Sequence, residues 1–135
     1  MTRSIAVGYD GSVGAGAAVR WAVSEAVATG ATLTVVHAVG ILEHAGLAAT
    51  GAPAVDEGTV RRLADESGLD PGRLVWREVD GDPCSALLRS ATEADLLVVG
   101  TRGAGAHQGT LLGSTSLELA EHSPVPVVVV PLPAG

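Results

Sequence analysis

The residues best suited to chemistry lie in one stretch, Gly100-Thr-Arg-Gly103-Ala-Gly-Ala-His-Gln-Gly-Thr-Leu-Leu-Gly113-Ser114. It follows an apolar run and leads into a segment of helical composition. Gly100 and Gly103 carry no Cβ, so backbone amides there can come close to an anion. Gly113 and Ser114 open the following helix, whose unpaired N–H groups and dipole favour negative charge. Ser114 and Ser116 add hydroxyl donors, and Arg102 and His107 are the stretch's only candidates for neutralising charge. The pattern fits a phosphate cradle; the plainer reading of the same glycines is a strand-to-helix turn. A Walker-type loop is excluded, because it requires Gly-Lys-Ser/Thr and the chain contains no lysine. A dinucleotide fingerprint fails on spacing, both at Gly11, Gly14 and Gly16 and at Gly103, Gly105 and Gly109.

Other polar side chains have two readings each. Asp10, at the end of Ser4-Ile-Ala-Val-Gly-Tyr9, could meet a ribose hydroxyl or a metal ion, or cap the next helix through an Asx-turn. His37 reads as a packed histidine at a strand end, since no second His, Cys or carboxylate stands at metal-site spacing. Cys84 is the single cysteine, so no intrachain disulfide can form and a small buried thiol is expected. Trp21 and Trp76 read as packing residues rather than a base-stacking pair.

The elements that must position these residues alternate regularly. Ser4–Tyr9 is expected as a buried strand, with Asp10-Gly-Ser12 as the turn and Ser12 as N-cap of a helix over Ala15–Thr29. Ala17, Val19, Trp21, Ala22, Ala26 and Val27 follow a loose helical period, and Gly30 is the expected stop. Thr32–Ala38 is a strand apolar on both faces. Residues 40–55, rich in Gly and Ala, read as a long connection suited to a lid or binding loop. Then come a helix over Asp56–Ser67, a strand over Arg73–Val79, and a helix over Pro83–Glu93 with Pro in its first turn. A strand over Asp95–Val99, a helix over Gly113–His122 and a strand over Val125–Val130 complete the order. Alternation of this kind implies right-handed crossovers and a doubly wound, mainly parallel sheet with helices on both faces, formed by residues 1–135 as a single domain. Ligands of such sheets sit beyond the carboxyl ends of the strands where the winding reverses, which singles out the loops after Tyr9, Ala38 and Val99.

Composition narrows the function. The formal charge is −7, with eight basic residues, all arginine, and three aromatics, a poor basis for a nucleic-acid surface. Any phosphate must therefore be held by backbone N–H groups and helix N-termini rather than by bulk positive charge. No apolar run approaches the length of a membrane span, and no secretory pattern is present, so a cytoplasmic protein without membrane attachment is expected.

The spacing Gly100-x2-Gly103-x9-Gly113-Ser114 resembles the nucleotide-binding signature of the ATP-binding branch of the universal stress protein family. The Val-Gly-Tyr-Asp10-Gly-Ser ending of the first strand, Thr-Val-Val-His37 and the closing Ser-Pro-Val-Pro-Val-Val-Val-Val-Pro131 are similar to the same family, so the likeness spans essentially the whole chain. The resemblance implies a five-stranded parallel sheet in the order 3-2-1-4-5, the adenine-nucleotide alpha-hydrolase-like fold. It implies ATP across the ends of strands 1, 2 and 4, and Mg²⁺ is expected with it because it commonly accompanies bound triphosphate. Gly8 and Asp10 would lie beside the nucleoside, with Asp10 the candidate contact to the metal. Ala38 would offer backbone groups to adenine. Gly100, Gly103, Gly113 and Ser114 would hold phosphates, with Val99 and Thr115 flanking the pocket. It further implies a homodimer through residues 125–130, which would cover a flat, uncharged strand that is hazardous as an open edge. The expected role is a stress-response sensor or modulator governed by nucleotide occupancy, with no catalytic residue assigned. The second reading is slow ATP hydrolysis or autophosphorylation, on Ser114 or a neighbour, which the lack of lysine disfavours. The third is an interaction module that needs no nucleotide.

Overall fold

Strands that are apolar on both faces need cover on both, and here each face receives its own helices. The computed structural model describes residues 3–39, 56–101 and 114–132. Its elements run β1 (Ser4–Gly8), α1 (Val13–Thr29), β2 (Thr32–Val39), α2 (Glu57–Glu66), a 3-10 turn (Pro71–Arg73), β3 (Leu74–Asp80), α3 (Pro83–Ala91), β4 (Leu96–Gly100), α4 (Ser114–His122) and β5 (Val127–Val130). The strands form a five-stranded sheet in the order β3-β2-β1-β4-β5, and every pairing in it is parallel. The expected order is therefore the observed one.

Alternation along each strand splits the core in two. Ile5, Val7, Leu33, Val35 and Val98 pack with α1 and α2 on one face. Ala6, Val36, Leu97 and Val99 pack with Cys84, Leu87 and Leu119 on the other. Each fully buried Val or Leu contributes about 1.5–3 kcal/mol relative to exposure, and with three aromatics in the chain the core rests on these aliphatics.

The helix boundaries follow from local chemistry. Ser12 caps α1, its hydroxyl accepting from the Ala15 N–H at 3.1 Å, so the helix starts at Val13 rather than Ala15. Gly30, with φ of 76°, ends it as expected, and the Arg73 guanidinium donates to the Gly30 carbonyl. The buried face of α1 is Ala15, Ala18, Val19, Ala22, Val23 and Ala26. Val27, expected on that face, is 41% exposed, because the helical period carries it away from the sheet. Asp56 and Asp82 cap α2 and α3, and Pro83 stands at the start of α3. β5 begins at Val127, two residues later than expected; Pro126 has no N–H to donate, and its carbonyl instead accepts from Leu97 N–H at 3.0 Å. The expected connection over residues 40–55 lies outside the described residues.

On the second face, α3 and α4 are joined by a polar contact. The Cys84 thiol donates to Glu118 Oε2 at 3.1 Å, and burial, followed by that carboxylate, pushes the thiol up to about 11. Cys84 is thus a protonated packing residue. At pH 8 its alkylation should run on the order of 100-fold slower than that of a free cysteine, and Glu118→Gln should speed it, which a timed iodoacetamide reaction read by mass spectrometry will check.

Three glycines give a second expected outcome. A Cβ on Gly100 would sit 2.6 Å from the Gly14 carbonyl oxygen, where backbone would have to move, whereas one on Gly8 would meet the tip of Leu87 at 2.9 Å and one on Gly16 would meet nothing within 4 Å. Gly100→Ala should therefore cost about 1–3 kcal/mol and Gly8→Ala less. Gly16→Ala, inside α1, should add about 0.5–1 kcal/mol. Urea unfolding of the three variants will rank them.

Candidate functional site

Because the strands are parallel, their carboxyl ends share one edge of the sheet, and α1, α3 and α4 all begin at that edge. Reading across it, Val39 is paired with Asp80, Gly8 with Val36, and Gly100 with Val130. The chain leaves β1 toward β2 on one side and reaches β4 on the other, so the winding reverses between β1 and β4. The crevice expected at such a reversal lies between the Gly8–Asp10 end of β1 and the Val99–Gly100 end of β4.

At the β1 end, Asp10 forms an Asx-turn, its Oδ1 accepting from the Ser12 N–H at 2.9 Å. The Asx-turn expected at Asp10 is therefore present, and it leads into Ser12, the N-cap of α1. Tyr9 continues the sheet, its N–H donating to the Val36 carbonyl at 3.0 Å. Burial, then the nearby Asp56 and Asp10 carboxylates, raise the Tyr9 phenol above its ordinary value, so Tyr9 is a neutral hydroxyl at physiological pH.

At the β4 end, Gly100 meets the first turn of α1 without any intervening side chain, as its approach to Gly14 requires. Thr101 continues the ladder by donating to the Val130 carbonyl at 3.0 Å. The Ser116 hydroxyl, on a residue 3% exposed, donates to the Thr101 carbonyl at 3.3 Å. This contact draws the first turn of α4 onto the end of β4. The Ser116 hydroxyl, a candidate donor in the sequence, thus links the first turn of α4 to the residue after β4.

Of the expected site residues, Gly8 on β1, Ala38 on β2, and Val99 and Gly100 on β4 stand at the carboxyl ends of adjacent strands, and Asp10 lies in the turn just beyond β1. Ser114 and Thr115 begin α4. Val99 is 5% exposed and packs in the core of the α3 and α4 face, so it supports the crevice from beneath. Gly103 and Gly113, with Arg102 and His107, lie outside the described residues. Among the described residues no group of three or more His, Cys, Asp or Glu could hold a metal ion, and no helix is long and apolar enough to cross a membrane.

Sequence reasoning missed an aromatic group beside the β1 and β2 ends. Trp76 of β3 meets Tyr9 edge-on, with centroids 6.2 Å apart and planes at 71°. The same indole lies 6.2 Å from the His37 ring at 48°. His37 is 7% exposed, as its packing role requires, and its Nδ1 is 3.9 Å from Glu78 Oε1 on the neighbouring strand. Nothing in the spacing of residues 9, 37 and 76 signals this group, since pairing between strands creates it.

Comparison with known proteins agrees with this architecture. A universal stress protein of Thermus aquaticus is 38% identical over 140 residues, covering 96% of this chain and 99% of that one. A universal stress protein of Mycolicibacterium smegmatis is 35% identical, covering 93% of this chain and 47% of the other. The chain spans about half the length of that relative and of several mycobacterial ones. A crystal structure of a universal stress protein in complex with cAMP superposes with a TM-score of 0.71 at 32% identity, covering 95% of each chain. The sequence profile of the Universal stress protein family matches residues 1–131. With the sheet order, the reversal between β1 and β4 and these likenesses in agreement, the chain belongs to the universal stress protein family.

Proposed function

We propose that this protein is a cytoplasmic regulatory module of the ATP-binding branch of its family, in which an adenine nucleotide occupies the crevice between β1 and β4. The observation that carries this reading is the tie from Ser116 to the Thr101 carbonyl. It brings both ends of the Gly100-x2-Gly103-x9-Gly113-Ser114 loop to the reversal point, where α1 also begins. Chain positions and helix N-termini together suit a phosphate group in a protein that carries no lysine. The cAMP complex of a relative at 32% identity supports an adenine nucleotide as the ligand class.

In this reading Gly100, Gly103, Gly113 and Ser114 hold the phosphates through backbone N–H groups, with Val99 and Thr115 flanking them. Gly8 and Asp10 lie beside the nucleoside, and Ala38 offers backbone groups to adenine. Mg²⁺ neutralises phosphate charge; among the described residues Asp10 is its candidate protein contact, the other ligands being phosphate oxygens and water. Occupancy by ATP, rather than turnover, is the signal in this reading, since the chain has no lysine and, among the described residues, no side chain stands as a base or a cation for efficient phosphoryl transfer.

The β5 edge supports a homodimer. Val127–Val130 carries no charge and is partly exposed throughout, whereas the opposite edge, β3, carries Arg77, Glu78 and Asp80. Charged residues guard one edge and leave the other open to a second copy. Sedimentation velocity should find a dimer that Val130→Lys converts to monomer while circular dichroism stays unchanged.

Calorimetry with ATP, ADP, AMP and NAD, with and without Mg²⁺ and after stripping co-purified nucleotide, tests the nucleotide reading. ATP should bind saturably, and a folded Gly113→Ala variant should bind it at least about tenfold more weakly. Absence of binding to the stripped, folded wild type would leave the nucleotide-independent module as the better account.

A further inference from the structure

The aromatic group beside the crevice links residues that are far apart in sequence but adjacent at the site's nucleoside end. Tyr9 immediately precedes Asp10, and His37 immediately precedes Ala38. Both rings lean on one indole, that of Trp76, at 6.2 Å. Trp76 sits on β3, opposite Val35 of β2, and packs against the core of the α1 and α2 face. β3 is an edge strand and takes no part in the crevice between β1 and β4. Trp76 therefore reaches the site through its neighbours rather than by touching what binds there.

The two contacts differ in geometry, and each restrains a different strand end. The edge-on contact with Tyr9, at 71°, is a favoured arrangement of the ring quadrupoles and fixes the phenol at the end of β1. The same phenol lies near the Asp56 and Asp10 carboxylates, so its position bears on the first turn of α2 as well as on the site. On β2, the His37 ring leans on the indole at 48°, with Glu78 Oε1 3.9 Å from its Nδ1. Fixing the rings at positions 9 and 37 restricts the backbone of the residue that follows each, Asp10 just beyond β1 and Ala38 in β2. Those next residues are the two assigned to nucleoside and adenine.

We propose that Trp76 is a positioning residue that sets the spacing between the Asp10 and Ala38 backbones and so tunes affinity for the nucleoside part of the ligand. The proposal rests on the nucleotide reading above and adds to it a residue outside the Gly-rich loop. A side chain that served only the core would change stability without favouring one part of the ligand over another.

The test compares wild type, Trp76→Phe and Trp76→Leu by calorimetry with AMP, ADP and ATP, alongside amide NMR spectra of the ligand-free proteins. Trp76→Leu should weaken all three nucleotides by the same factor, about tenfold, and Trp76→Phe should keep affinity within about twofold of wild type. In Trp76→Leu the amide resonances of Asp10 and Ala38 should shift or broaden before any ligand is added. A folded Trp76→Leu protein with wild-type affinity and unchanged Asp10 and Ala38 amides would overturn the proposal, as would a loss that grows with the number of phosphates. Should Trp76→Leu not fold, the Trp21→Phe protein, whose only indole is Trp76, must show a saturable emission change with AMP; a flat titration at concentrations where calorimetry detects binding overturns the proposal. Failure of the stripped wild type to bind any adenine nucleotide removes the nucleotide reading and this proposal together, whereas a silent Trp76 beside a binding wild type removes this proposal alone.

Discussion

Parallel pairing of all five strands constrains everything else in this structure. A parallel neighbour can be reached only by a crossover, so each helix must start at the edge where a strand has just ended. Three consequences follow from one constraint. Both sheet faces are covered, which is why alternate residues of β1, β2 and β4 fall into separate cores. The N-termini of α1, α3 and α4 gather on the same edge. And α1, crossing from β1, must pass the end of β4 so closely that Gly14 and Gly100 meet with no side chain between them.

That arrangement bears on the proposed nucleotide ligand. A chain of net charge −7 without lysine has little cationic surface with which to attract an anion. Helix N-termini provide directed N–H donors whose strength does not depend on side-chain charge, each contributing about 0.3–1 kcal/mol. Single contributions of that size are small, so their placement matters: they count together only where several converge. The hydroxyl of Ser116, buried and bonded to the Thr101 carbonyl, helps secure that convergence by anchoring α4 to the end of β4.

The two sheet edges show how the same backbone can be protected or left open. β3 places Arg77 and Glu78 outward, and Arg77 reaches Glu93 at 3.5 Å. An exposed pair of this kind contributes at most about 1 kcal/mol to stability, but charge along an edge deters pairing with another strand. β5 has four valines and no such guard. Pro126 and Pro131 bracket it, limiting the length of open edge on either side.

By itself the sequence determined the kind of element at nearly every described position. Punctuation did this: Ser12 and Gly30 bound α1, Pro83 opens α3, and runs such as Thr32–Val39 are too β-branched and too apolar for anything but a strand covered on both faces. Such signals are local, set by backbone sterics and unpaired N–H groups, and they survive without knowledge of the fold. The sheet order and the family were legible for a different reason, because the Gly100 to Ser114 spacing and the strand endings match a known pattern. What only the tertiary structure decided involves residues distant along the chain. The Gly14 to Gly100 approach, the Cys84 to Glu118 bond and the meeting of Tyr9, His37 and Trp76 depend on register between strands and on where helices land. The same is true of the exposure of Val27 and of the use of the Ser116 hydroxyl inside the fold. No spacing encodes these contacts, since each exists only once the parallel sheet has brought its strands side by side.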